Sequence, residues 1–121
     1  MHELSLCQAL IQLVRERTAP RPIRQLTHIT VAIGSLAGVD SDAFAFAFSA
    51  VRDQALHPAC QLELVSVPAF GRCAGCGRRD RVQYASAGCS HCGHWPVQLE
   101  PGGDDICLTG MKFAATTPAF Y

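Results

Sequence analysis

Two Cys-x-x-Cys pairs, Cys73/Cys76 and Cys89/Cys92, stand twelve residues apart and dominate what this chain can become. Each pair can place two thiolates on one turn, and a hairpin between the pairs can bring the four sulfurs into a tetrahedron. Zn²⁺ accepts that geometry in closed structural sites, with Zn–S distances near ~2.3 Å. Gly75, Gly77, Gly88 and Gly93 flank the cysteines, as tight knuckles require. With all four positions filled by protein, no open coordination site remains for Lewis-acid catalysis. Neither pair opens a helix after a strand, as a thioredoxin-type redox motif does. The pattern therefore predicts a zinc-held scaffold, which by itself specifies no task.

A chain of 121 residues, 49% hydrophobic, holds one compact domain with room for a small satellite. Basic and acidic residues number ten each, so no global charge draws it to nucleic acid. Arg72, Arg78, Arg79 and Arg81 crowd the cysteine loop. They read as balance for four thiolates and Zn²⁺, which together carry about −2. The alternative is a zinc-ribbon nucleic-acid-binding or transcription-associated protein, but only Tyr84 lies nearby to stack a base. His91 and His94 read as exposed loop residues beside the second pair. The first apolar stretch is broken by Gln8, Gln12, Arg15, Glu16 and Arg17, unlike a signal peptide. No apolar run approaches the roughly twenty residues that cross a bilayer. Reduced thiols and a cytoplasmic location are the expectation. Cys7, Cys60 and Cys107 sit in apolar patterns and are expected to be small buried hydrophobes.

Leu4, Cys7, Leu10, Ile11 and Val14 repeat at helical spacing, which predicts a helix over 4–17, stopped by Pro20 and Pro22. On that reading Met1, His2 and Glu3 precede the helix. Residues 25–34 alternate as a half-buried strand. Over 41–55, Phe44, Phe46 and Phe48 alternate like a strand, whereas Phe44, Ala47, Phe48, Val51 and Ala55 form a helical stripe. Alanine content and the cap candidates Asp40 and Ser41 favour the helix. Residues 60–67 and 105–113 read as two further strands, with the cysteine module inserted between them. The expected fold class is α+β: a three-stranded sheet with two helices on one face, plus an inserted zinc-ribbon-like module of four cysteines. Residues 1–69, completed by the strand at 105–113 and the tail to 121, form one domain, and 70–104 the zinc-binding one.

The amino terminus, Met1-His2-Glu3, offers a different chemistry. The bulk of His2 disfavours removal of Met1. The terminal amine, the amide nitrogens of His2 and Glu3, and the His2 ring supply four nitrogens. Deprotonated amides and imidazole in a plane suit Ni²⁺ or Cu²⁺ rather than Zn²⁺.

MHELSLCQAL at the start, IGSLAGVDSDAF after the first strand, and the paired Cys-x-x-Cys motifs together resemble the HypA/HybF family of hydrogenase maturation proteins. The likeness spans nearly the whole chain in order. It implies a non-enzymatic nickel metallochaperone that carries Ni²⁺ to the [NiFe]-hydrogenase large subunit, with some members serving urease. A HypB-type GTPase is the implied partner. Neither nucleic acid nor membrane is expected as a partner, and the expected state is a monomer or homodimer. By the same likeness, Met1, His2 and Glu3 fall on the nickel site, with Asp40 on an acidic position close to it. Asp40 is open between ligand, supporting group and helix cap. Cys73, Cys76, Cys89 and Cys92 fall on the zinc ligands. Many members carry proline where this chain has Ser90.

Overall fold

The computed structural model describes residues 2–84 and 86–114, without the side chain of His2. Met1, which belongs to the expected nickel site, and the tail from residue 115 lie outside the described residues.

Helix α1 spans His2–Thr18. Cys7, Leu10, Ile11 and Val14 are buried, as the stripe predicts, and the Thr18 hydroxyl closes the last turn by donating to Val14 O at 2.7 Å. The helix starts earlier than expected, so His2 and Glu3 belong to its first turn instead of preceding it. Apolar periodicity begins only at Leu4 and misses a polar first turn. A glutamate there suits the positive end of the helix.

After a short 3₁₀ turn at Ile23–Gln25, strand β1 covers Leu26–Gly34. Ile29, Val31 and Ile33 are buried on one side, with His28 and Thr30 on the other. Helix α2 spans Ser41–Ala55, which resolves the phenylalanine ambiguity. Phe44, Ala47 and Phe48 turn inward at helical spacing, while Phe46 is 77% exposed. Within this part, Glu3 meets Asp40 at the start of α2 and Arg15 Nη1 reaches Ala55 O at its end, so α1 and α2 run in the same direction.

Strand β2 covers Gln61–Val67, and the cysteine module carries three short strands: β3 (Phe70–Arg72), β4 (Arg79–Arg81) and β5 (Gln98–Leu99). Strand β6 covers Ile106–Phe113. The main sheet has the order β2-β1-β6, with the most buried strand in the middle. A second sheet, β4-β3-β5, is antiparallel and pairs Gly71 with Asp80 and with Leu99. Sequence periodicity does not disclose it, because strands of two or three residues carry too little alternation. Cys7 and Cys60 are fully buried, as expected, but Cys107 is exposed. The alternation of the outer strand β6 places Cys107 with Thr109 on its exposed side.

Two compact units emerge. One comprises Met1–Val31, Asp40–Glu63 and Leu108–Tyr121; the other, Ala32–Val39 and Leu64–Cys107. In the second, residues 34–36 hold the chain entering the cysteine module to the chain leaving it. Ser35 N donates to Val67 O and its hydroxyl accepts from Ala69 N. Gly34 N and Leu36 N donate to Asp105 O and Gly103 O. A Cβ at Gly103 would lie 2.7 Å from Ala69 Cα, so the two segments touch through a glycine.

Candidate metal centre

The first cysteine pair is the loop of the β3–β4 hairpin. Cys73 N donates to Arg78 O at 2.9 Å and Gly77 N returns to Cys73 O at 2.8 Å. The amides of Gly75 and Cys76 both point at Cys73 Sγ, at 3.2 and 3.4 Å. The same four bonds recur sixteen residues later. Cys89 N donates to His94 O, Gly93 N to Cys89 O, and the amides of His91 and Cys92 to Cys89 Sγ. Gly77 and Gly93 close the two turns with φ of 77° and 80°, a left-handed conformation that a Cβ disfavours. Two copies of one knuckle thus face each other.

The four sulfurs all lie within 4.8 Å of one another, with Cys73–Cys92 at 3.5 Å and Cys76–Cys89 at 3.7 Å. A tetrahedron with Zn–S of ~2.3 Å has sulfur–sulfur edges of about 3.8 Å, so these separations fit zinc. The electrostatics agree. The Cys89 thiol is lowered to about 6, first by the Cys92 amide and then by that of His91. Cys73 is lowered too, chiefly by the Cys76 amide. Cys92 is lowered by the His94 amide but raised more by the neighbouring sulfurs, and reaches about 12. Four thiolates this close repel one another, and a central dication relieves that repulsion.

The arginines are largely held by other groups. Arg72 donates to Gly77 O, and Arg79 grips both oxygens of Glu100 at 2.8 and 2.9 Å while stacking on Phe70. Arg78 pairs with Asp80 at 3.6 Å. Asp80 also accepts from the Arg81 amide and the Ser90 hydroxyl, which together hold its carboxyl below the usual range. Ser90 therefore ties the second knuckle to β4 by a hydrogen bond, a link with no signal in the sequence. His94 packs against Gly75, where an added Cβ would meet the imidazole at 3.1 Å. Among the described residues, the metal-competent group consists of the four cysteines, without His91 or His94.

In the other unit, Asp40 is the cap of α2: its Oδ1 accepts from the amides of Asp42 and Ala43 at 3.0 and 3.1 Å. Its own amide donates to Glu3 Oε2 at 3.1 Å. Glu3 and Asp40, 37 residues apart in sequence, are therefore adjacent, with His2 opening the helix that carries Glu3. The resemblance places Asp40 close to the site that contains Glu3, but gives no sign of the bond between them.

The model of the family described as "Hydrogenase/urease nickel incorporation, metallochaperone, hypA" matches residues 1–113. The hydrogenase maturation factor HypA of Alkalilimnicola ehrlichii is 34% identical over 93% of this chain and 98% of that protein. The hydrogenase maturation factor HybF of Morganella morganii is 30% identical over the same shares. Among solved structures, the solution structure of the Ni metallochaperone HypA from Helicobacter pylori aligns with a TM-score of 0.66 at 24% identity. It covers 96% of this chain and all of that one, a likeness of fold. With the family model matched over nearly the full length and two cysteine knuckles built for zinc, the chain belongs to the HypA family of hydrogenase/urease nickel-incorporation metallochaperones.

Proposed function

We propose that this chain binds Ni²⁺ at Met1, His2 and Glu3, beside Asp40, and hands it on for nickel incorporation into hydrogenase. Cys73, Cys76, Cys89 and Cys92 hold a structural zinc. The observation that carries the nickel reading is the start of α1 at His2. The first four amides of a helix have no acceptor within it. Those of His2 and Glu3 can therefore release their protons to solvent and bind a metal instead, without breaking a helical hydrogen bond. With the Met1 amine and the His2 ring they make a planar nitrogen set, which suits Ni²⁺. Glu3 and Asp40 stand beside that set, their carboxylates accepting from backbone amides at the heads of the two helices.

Zinc is served elsewhere, by thiolates in a closed site. The nickel-binding part is residues 1–69 with the strand at 105–113, and 70–104 is the zinc-binding part. The chain acts as a carrier without chemistry of its own, in the cytoplasm, as monomer or homodimer. It works with a HypB-type GTPase and the hydrogenase large subunit as client. A nucleic-acid role is less well supported, because Arg72, Arg78 and Arg79 are engaged by a carbonyl and two carboxylates.

The test is the absorption spectrum of the zinc-loaded protein titrated with Ni²⁺. Planar amine–amide–imidazole coordination gives a single d–d band, which acetylation of the Met1 amine abolishes by removing one of the four nitrogens. The same spectrum in the acetylated protein overturns the site.

A further inference from the structure

The Glu3 side chain has a task that a list of ligands overlooks. Helix α2 begins with half of a capping box. Asp40 Oδ1 accepts from Asp42 N and Ala43 N, but the position that would carry a glutamate to bond the cap's own amide is Ala43. Glu3 supplies that bond from the other helix, with Oε2 at 3.1 Å from Asp40 N. The carboxylate lies in the first turn of α1 and at the head of α2, so it meets the positive ends of both helices.

Apolar burial does little to anchor the start of α1. Leu4 is 36% exposed, Ser5 is exposed, Leu6 is half-buried, and Cys7 is the first fully buried residue of the helix. A helix end with so little buried apolar surface frays unless a polar contact ties it down. Resting on the nickel site proposed above, we infer that Glu3 is a positioning residue. Its carboxylate completes the cap of α2 from α1 and so holds the nickel-binding backbone of His2 and Glu3 in place beside Asp40. Its side chain is engaged by this bond, and its contribution to the metal is the amide nitrogen.

The experiment compares zinc-loaded wild type, Glu3→Ala and Glu3→Gln by nickel calorimetry, and follows the Asp40 amide by NMR before nickel is added. Loss of a cap bond is worth roughly a factor of ten in the equilibrium it supports. Glu3→Ala is expected to bind nickel roughly tenfold more weakly, with the Asp40 amide proton shifted upfield and exchanging faster. Glu3→Gln keeps an oxygen acceptor of the same reach, and is expected to restore the Asp40 amide signal and most of the lost affinity. Thermal melts of both variants separate loss of positioning from loss of fold. An Asp40 amide unmoved by Glu3→Ala overturns the inference. So does a Glu3→Gln variant that binds nickel as weakly as Glu3→Ala, which marks the carboxylate as a charged ligand. If wild type binds nickel no better than His2→Ala, the nickel-site reading fails, and the Asp40 amide still decides whether the cap exists.

Discussion

At the scale of single residues, the cysteines divide by environment more than by sequence context. Burial raises the Cys7 thiol to about 11 and Cys60 likewise upward, whereas Cys107 is exposed. In the zinc-loaded protein at about pH 8, iodoacetamide is expected to label Cys107 well before Cys7 or Cys60, as mass spectrometry will show. Equal labelling contradicts the packing described. The apolar surroundings of all three look alike in sequence, and only the exposed side of β6 distinguishes Cys107. Cys73→Ala, by contrast, removes one of four zinc thiolates and leaves Cys92 without its 3.5 Å neighbour. Zinc content measured by atomic absorption should fall below one ion per chain. The gathering of the four cysteines into one cluster was legible from spacing alone. The bond from Ser90 to Asp80 was not, because a hydroxyl and a carboxylate ten residues apart have no periodic signature.

At the scale of elements, the long helices and strands were legible to within a residue or two, since each buries an apolar stripe of the right period. The first turn of α1 and the strands of the cysteine module were not, because they bury almost nothing that repeats. The Asp40 cap allows a test that separates its possible roles. Asp40→Ala should cost about 1 kcal/mol of stability in a denaturant melt. Asp40→Asn keeps an acceptor for Asp42 N and Ala43 N and should melt as wild type does. If Asp40 chiefly caps α2, Asp40→Asn weakens nickel binding far less than His2→Ala. A loss as large makes the carboxylate a ligand. The junction at residues 34–36 depends on a glycine. Gly103→Ala places a Cβ 2.7 Å from the Ala69 backbone, and overpacking of this kind costs roughly 1–3 kcal/mol. Thermal unfolding in the presence of saturating zinc measures it.

At the scale of the whole molecule, the proposed sites separate two metals by donor chemistry: thiolate sulfurs in one unit, and nitrogens at the head of a helix in the other. The pH dependence of zinc follows from the thiol shifts. A thiol whose folded value is lowered stabilises the folded state above its unfolded value, and that contribution is lost as pH falls through the folded value. Cys89 sits at about 6 before any metal contribution, and zinc pulls its ligands lower still. Zinc release to a chromogenic chelator should therefore increase as pH falls and protons compete for Cys73 and Cys89, whose thiols the knuckle amides lower. Release that increases as pH rises contradicts the knuckle geometry. The family and the zinc scaffold could be read from motifs spread along the chain. The resemblance set Asp40 close to Met1, His2 and Glu3, but the bond from its amide to the Glu3 carboxylate could not be read, because only the packing of two helices forms it. The central claim is that nickel binds at the helix start, apart from the cysteines. Calorimetric titration of Ni²⁺ into zinc-loaded wild type and His2→Ala tests it most directly. Replacing an outer-sphere partner weakens metal sites by roughly 10–100-fold, so loss of a ring ligand should exceed about 100-fold. The expected result is that loss in His2→Ala, with one zinc per chain and an unchanged melting temperature in both proteins. Nickel binding in His2→Ala as tight as in wild type, or achieved only with zinc release, contradicts the account.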